Sequence, residues 1–387
     1  MFVEIEIGIA KSGRRAWGFD DIAIVPSRRT RDPEDINLSW EIDAFTFDLP
    51  MMASAMDSAV SPTTAVAIGK LGGVGVLNLE GLWTRYEDPS AAYAEIAAAT
   101  PEDATRTIQR VYQAEVNPDL ITQRVQEIKE AGVLAAASLT PQNVSRYYDY
   151  AVAGGLDILV IQGTVVSAEH VSTKSEPLDL FKFIGGADLP VIVGGCASYA
   201  GALHLMRTGA VGVLVGVGPG AACTSRGVLG IGVPQATAIA DAAGARIRYL
   251  EETGRYVHVI ADGGMRTGGD VAKAIACGAD AVMLGSPITA AEEAPAQGYH
   301  WGMATFHPEL PRGTRVQTGR LGTLRNILVG PAHENDGRRN LFGALRVSMA
   351  TTGYANVKEF QKAEVMVAPA IQTEGKHLQQ TQHVGMG

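Results

Sequence analysis

Val259-Ile-Ala-Asp262-Gly-Gly-Met-Arg-Thr-Gly-Gly-Asp270 reads as an apolar strand, a glycine turn and the start of a helix, and Ala281-Val-Met-Leu-Gly285-Ser286-Pro287 repeats that plan one strand later. Working outward, the same alternation recurs along the chain. Short apolar runs lie at 49–56, 73–77, 133–139, 156–161, 189–193, 212–217, 257–261 and 281–284. Most lead through a small or polar residue into a helical pattern, as at 198–208, 235–252 and 269–277. Runs that are apolar on both faces, alternating with helices, predict a parallel sheet. Eight such units predict a single-domain α/β chain folded as a (β/α)8 TIM barrel, with its active site at the C-terminal ends of the strands. An open doubly wound sheet would normally carry a G-x-G-x-x-G fingerprint in an early βα unit, and none occurs. The barrel is expected over 1–367, with an N-terminal extension. The stretch 80–130 exceeds an ordinary βα connection and predicts two helices, 89–100 and 101–131. Residues 368–387 read as a polar, flexible tail.

Composition narrows the function. Of 387 residues, 46% are hydrophobic, which suffices for a large core, and the net charge of −9 argues against general nucleic-acid binding. Phosphate is still an admissible ligand, because backbone N–H groups at glycine turns can hold it. No apolar run reaches membrane-spanning length. The N-terminus lacks the basic-then-apolar plan of a signal peptide. Three cysteines, Cys196, Cys223 and Cys277, supply neither a disulfide framework nor zinc-ligand spacing. These features fit a cytoplasmic protein.

Chemistry concentrates at Val215-Gly-Val-Gly-Pro-Gly-Ala-Ala-Cys223-Thr-Ser-Arg226. An apolar run breaks at Gly218, Pro219 and Gly220 into a loop that presents one thiol beside hydroxyls and an arginine. Glycines let a backbone approach a ligand closely, and N–H-rich or cationic surroundings favour the reactive thiolate. Gly263, Gly264, Gly285 and Ser286 follow the last two strands, where phosphate sites recur in barrels. Asp262 would repel phosphate and suits the two hydroxyls of a ribose. Taken alone the double glycine motif would also fit a flavin-binding barrel, which has no need of the thiol.

These segments resemble the inosine monophosphate dehydrogenase and guanosine monophosphate reductase family, from Trp17-Gly-Phe-Asp-Asp21 to about Gly353. The resemblance implies that Cys223 adds to purine C2 and that Thr224 helps position water. It also implies that Ser54 and Met56 meet the base, and that Leu321 and Gly322, in Thr318-Gly-Arg-Leu-Gly-Thr323, read its edge. Gly220 and the two glycine turns would take the phosphate, and Gln162 and Thr164 would face an NAD cofactor. A potassium ion on the carbonyls of Gly218, Gly220 and Cys223 and a homotetramer are implied as well.

The pattern is broken in four places. Cys196 replaces an asparagine, Gln162 an aspartate that contacts the nicotinamide ribose, and Ala221 a serine. The flap near 318–340 is short and lacks the Arg-Tyr pair that activates water in the dehydrogenases, which leaves Arg320, Arg325, Arg338 and Arg339 as the nearby candidate bases, Arg320 and Arg325 first. No regulatory tandem-repeat domain fits within 80–130. Wording around Ser286, Pro234 and Pro295 matches the dehydrogenases, so the expected reaction is oxidation of inosine monophosphate with NAD+. The alternatives are NADPH-dependent reduction of guanosine monophosphate and a weakly catalytic purine-nucleotide sensor.

Overall fold

A computed structural model describes residues 4–173, 176–302, 313–371 and 373–385. Eight strands close into a parallel barrel: β1 Met51–Ala53, β2 Val74–Asn78, β3 Ala136–Leu139, β4 Ile158–Gln162, β5 Val191–Cys196, β6 Gly212–Val215, β7 His258–Asp262 and β8 Ala281–Leu284. All eight lie at the expected runs. Each pairs with its sequence neighbour, and β8 closes on β1 with Val282 opposite Met51.

The apolar runs are continuous because both faces of each strand are covered. In β4, Ile158 and Val160 point into the barrel with Met52, Ile192, Leu214 and Ile260. Leu159 and Ile161 point outward, under the helices. The strands' N-terminal end is plugged by the antiparallel pair Trp40–Ile42 and Phe45–Phe47, whose Trp40, Ile42 and Phe47 join the interior cluster. Trp40 Nε1 donates to Nδ1 of His258, the first residue of β7, across 3.2 Å. With that end sealed, only the C-terminal end is left to hold a ligand.

The outer helices begin on ordinary caps. Ser61 caps Pro62–Lys70, and Thr267 with Asp270 forms a capping box on Gly268–Ala276. Between β2 and β3 the expected pair of helices is three: Ser90–Ala98, Ala104–Val111 and Pro118–Glu130. The stretch 101–131 is interrupted because Asn117 caps a new helix with Pro118 at its first position. The first two helices bury Ile96, Ile108 and Val111 in a satellite cluster with Leu82 and Trp301, and no further domain is inserted there. The C-terminal stretch holds a short helix, His377–Gln382, with no buried residue. The first three residues, and 372 and 386–387 of the tail, lie outside the described residues.

Candidate active site

A cavity of about 520 Å³ opens at the C-terminal ends of the strands, within the size range of small-molecule sites. It gathers most of the residues expected from sequence. Ser54 and Met56 come from the loop after β1, Gln162 and Thr164 from the end of β4, and Gly218, Gly220 and Cys223 from the loop after β6. Asp262, Gly263 and Gly264 follow β7, and Gly285 and Ser286 follow β8.

Cys223 is the one cavity-lining thiol among the described residues. Its loop is tied down by the Cys223 N–H, which donates to the Gly220 carbonyl at 3.0 Å, and by the Thr314 N–H, which donates to Ala222. Ser225 Oγ, fully buried, lies 3.4 Å from the sulfur. Cys196 is buried beneath the rim, its Sγ 3.5 Å from the Leu214 carbonyl, and burial pushes its thiol up to about 12. Burial does the same to Cys277.

Asp262 is open to the cavity on one side, yet the burial of its carboxyl pushes it up to about 7, against the lowering effect of a hydrogen bond from Gln162 Nε2 at 3.2 Å. Its backbone is fixed as well. Gln235 Nε2 donates to the Asp262 carbonyl at 3.1 Å, and a methyl on Gly216 would lie 2.1 Å from that oxygen. Gln162 Oε1 and Gln235 Oε1 are buried without a partner among the described residues.

Of the glycine-turn donors, Gly263 N–H already donates to the Met283 carbonyl at 3.2 Å. That leaves the N–H groups of Gly264, Gly285 and Ser286, which have no backbone partner among the described residues, as the donors for an anion.

Several expected residues are not brought to the cavity. Thr224 precedes the short helix Ser225–Leu229 and its buried Oγ1 has no partner among the described residues. Leu321 and Gly322 are paired to the segment after β8: Leu321 N–H donates to Ala290, and Gly322 accepts from Glu292. This pairing holds them outside the cavity wall. Arg320 is exposed and donates to Gln297 Oε1, and Arg325 is exposed on the helix Leu324–Leu328. Neither arginine lines the cavity.

In place of Leu321 and Gly322, the wall includes His300 and Gly302, at the antiparallel pair Tyr299–Trp301 and Arg315–Gln317. His300 is 2% exposed, shares a 2.9 Å hydrogen bond between its Nδ1 and Ser58 Oγ, and is lowered to about 4 by burial. Sequence reading missed it because a lone histidine between two aromatics carries no periodicity or spacing. Thr140 and Gln142, after β3, complete another part of the wall. Glu80 holds Thr140 by accepting from its N–H and from its hydroxyl at 3.0 Å.

No cluster of three or more His, Cys, Asp or Glu side chains occurs among the described residues, so the donor set of a divalent metal is not assembled there. A potassium ion would rest on carbonyls alone. Of the three named for it, Gly220's is already an acceptor for Cys223 N–H, so a cation would share that oxygen.

Comparison with known proteins places this geometry. A family model described as the IMP dehydrogenase / GMP reductase domain matches residues 16–306. A protein of Mycolicibacterium smegmatis described as an uncharacterized oxidoreductase is 49% identical over 372 residues, covering 94% of this chain and 99% of that protein. An inosine-5'-monophosphate dehydrogenase of Borreliella burgdorferi is 30% identical over 307 residues, covering 74% of this chain and 73% of its own. Among solved structures, an IMP dehydrogenase/GMP reductase-like protein from Corynebacterium glutamicum superposes with a TM-score of 0.90. It is 46% identical, with 94% of this chain and 97% of that one covered.

Proposed function

This chain belongs to the IMP dehydrogenase / GMP reductase family, an oxidoreductase family, and on that premise we propose that it oxidises inosine monophosphate to xanthosine monophosphate with NAD+ through a covalent cysteine intermediate. The observation that carries the reading is the convergence of Cys223, Asp262 and the Gly285-Ser286 turn on one cavity. A nucleophile, a ribose acceptor and anion donors are what a purine ribonucleotide needs.

In this reading the Cys223 thiolate adds to C2 of the base, and the C2 hydrogen leaves as hydride. NAD+ supplies the chemistry of accepting that hydride. The purine is left joined to Cys223 by a C–S bond. Water then adds at C2, the C–S bond breaks, the thiol is regenerated and xanthosine monophosphate leaves, so that one hard step is divided into two. Asp262 accepts from the ribose hydroxyls, Gly264, Gly285 and Ser286 donate to the phosphate, and Ser54 and Met56 border the base. Thr140, Gln142, Gln162 and Thr164 are neutral polar groups on the same wall and fit the cofactor's ribose and amide. A homotetramer, a cytoplasmic location and potassium on the Gly218, Gly220 and Cys223 carbonyls are proposed with it. No described helix is long and apolar enough to cross a membrane.

One observation favours the reverse enzyme. Arg320 and Arg325 stand off the cavity, and no described arginine lines it for the hydrolytic half-reaction. In guanosine monophosphate reduction no water attacks C2: the cysteine displaces ammonia, and NADPH then delivers hydride. The deciding assay supplies inosine monophosphate with NAD+ in one mixture and guanosine monophosphate with NADPH in another. Reduced cofactor with xanthosine monophosphate supports the proposal. Ammonia at the higher kcat/KM reverses the direction, and tight nucleotide binding with no turnover in either mixture points to a sensor.

A further inference from the structure

The described cavity wall contains no lysine or arginine; its titratable side chains are Cys223, Asp262 and His300. A nucleotide's phosphate, doubly charged once its second ionisation near pH 6 is passed, would therefore enter a buried site without a permanent countercharge on that wall. We propose that His300 supplies it: the imidazole is uncharged while the cavity is empty and takes up a proton when phosphate settles on the Gly264, Gly285 and Ser286 amides, so that nucleotide binding consumes a proton. The inference rests on the purine-nucleotide reading of this site.

Position is the first argument. A methyl group on Gly285 would lie 3.5 Å from His300 Cε1, 3.4 Å from Met56 Sδ and 3.6 Å from Ser54 Oγ. The Cε1 carbon, which joins the two ring nitrogens, thus lies beside the turn whose N–H groups have no backbone partner among the described residues. The tether is the second. Nδ1 is bonded to a fully buried serine hydroxyl. A hydroxyl can donate to a bare nitrogen or accept from a protonated one. The Ser58 bond therefore survives protonation by rotation of a single hydrogen, and the ring need not move.

The surrounding charges are the third. Asp57, next to Ser58, is engaged elsewhere: its carboxylate accepts from Tyr112 Oη at 2.5 Å, Leu82 N–H at 3.1 Å and Asn78 Nδ2 at 3.3 Å. Trp301, beside His300, donates to Tyr112 Oη. Arg315, on the paired strand, is turned to the carbonyls of Ile96, Ala97 and Ala99. The helix Ser286–Thr289 carries no titratable group. Asp262 is held by Gln162, and Cys223 lies on its own loop. Burial alone keeps the imidazole neutral, at about 4. A dianion beside it acts in the opposite sense, favouring the charged form.

The test is calorimetric titration of the whole protein at pH 7.5 in two buffers of different ionisation enthalpy, with inosine monophosphate, guanosine monophosphate and inosine as probes. Inosine lacks the phosphate but keeps the ribose, so it corrects for any proton exchanged at Asp262. The expected result is uptake of on the order of one proton per nucleotide beyond the inosine value. His300→Gln should bring that difference close to zero and weaken nucleotide binding roughly tenfold while leaving inosine affinity unchanged. Equal proton counts for nucleotide and nucleoside in the wild type would overturn the inference and leave the proposed function standing. Failure of both nucleotides to bind would instead remove the nucleotide reading on which it rests.

Discussion

Gln162 Nε2 lies 3.2 Å from Asp262 Oδ2, a bond that spans the barrel mouth from the end of β4 to the end of β7. It accounts for one departure from the family pattern. An aspartate at 162 would set two carboxylates within hydrogen-bonding distance, whereas the amide donates to the one that remains. The exchange also leaves Gln162 Oε1 buried with no partner among the described residues, an acceptor available to whatever fills the cavity.

The first prediction concerns the pH dependence of ribose binding. Asp262 is raised to about 7 by burial, and the ionised form is the better acceptor for ribose hydroxyls. Inosine, which has no phosphate to titrate, should bind more tightly as pH rises through about 7. Gln162→Leu removes the hydrogen bond that lowers Asp262, so the rise should move to higher pH. A pH series of inosine titrations on both proteins checks this, and a flat wild-type profile refutes it.

The same carboxyl has a stability signature. Its folded value lies above its unfolded value, so the native state holds the proton more tightly and stability declines as pH climbs from about 4 towards about 7. Asp262→Asn abolishes that decline. The variant should melt above the wild type at pH 8, with the gap closing by pH 4, and should lose nucleotide affinity by roughly tenfold or more. Calorimetric scans at the two pH values provide the measurement.

Thiol chemistry should be selective. Cys196 and Cys277 are both pushed up to about 12 by burial, and neither reaches the cavity. Iodoacetamide at pH 7.5 should modify Cys223 alone, and inosine monophosphate should protect it. Cys223→Ala should abolish turnover and keep nucleotide binding. Mass spectrometry of the alkylated protein reads the first outcome, and labelling at Cys196 ahead of Cys223 would sink it.

Two glycines of the site should respond differently to one added methyl. At Gly216 the methyl would stand 2.1 Å from the Asp262 carbonyl oxygen, a backbone atom that cannot step aside. Gly216→Ala should cost about 1–3 kcal/mol and displace Asp262. At Gly285 the nearest atom would be 3.4 Å away, an ordinary contact. Gly285→Ala should keep the wild-type melting temperature, yet bind nucleotide less well because the methyl occupies the cavity wall.

The barrel was legible because its strands are covered on both faces, which makes most of each one apolar, as in Ile158–Ile161. The seal on the opposite end was not, since Trp40, Ile42 and Phe47 sit in a short antiparallel pair that resembles any surface hairpin until it meets the barrel interior. The break at Asn117-Pro118 is encoded as a cap followed by a first-turn proline, a local signal inside a stretch, 101–131, whose composition is helical throughout. Loop residues divided by a different rule. Those next to a strand end, such as Cys223 and Asp262, were placed by the strand. Leu321 and Gly322 follow a longer excursion, whose course depends on pairing with residues 290–292, and motif likeness alone put them at the base. His300 enters the cavity wall by tertiary pairing of Tyr299–Trp301 with Arg315–Gln317, which local pattern does not encode.

The last prediction separates the arginines of the short flap. Arg320 reaches only Gln297, and Arg325 is exposed on its helix. A proton acceptor must come within hydrogen-bond reach of the water it activates, and neither lines the cavity. Arg320→Gln and Arg325→Gln, singly or together, should leave kcat and its pH profile unchanged within roughly twofold. Arg339 is different. Its side chain is 14% exposed, its Nε donates to the Leu321 carbonyl at 2.9 Å, and it pairs with Glu334 at 3.0 Å and Asp336 at 3.7 Å. Arg339→Gln removes the clasp between Leu321 and residues 334–336. It should lower stability by about 1–2 kcal/mol while kcat/KM stays near wild type. Steady-state kinetics and thermal melts of the four variants decide the matter. A steep loss of kcat in Arg320→Gln or Arg325→Gln, with the melting temperature unchanged, would return a catalytic role to the flap.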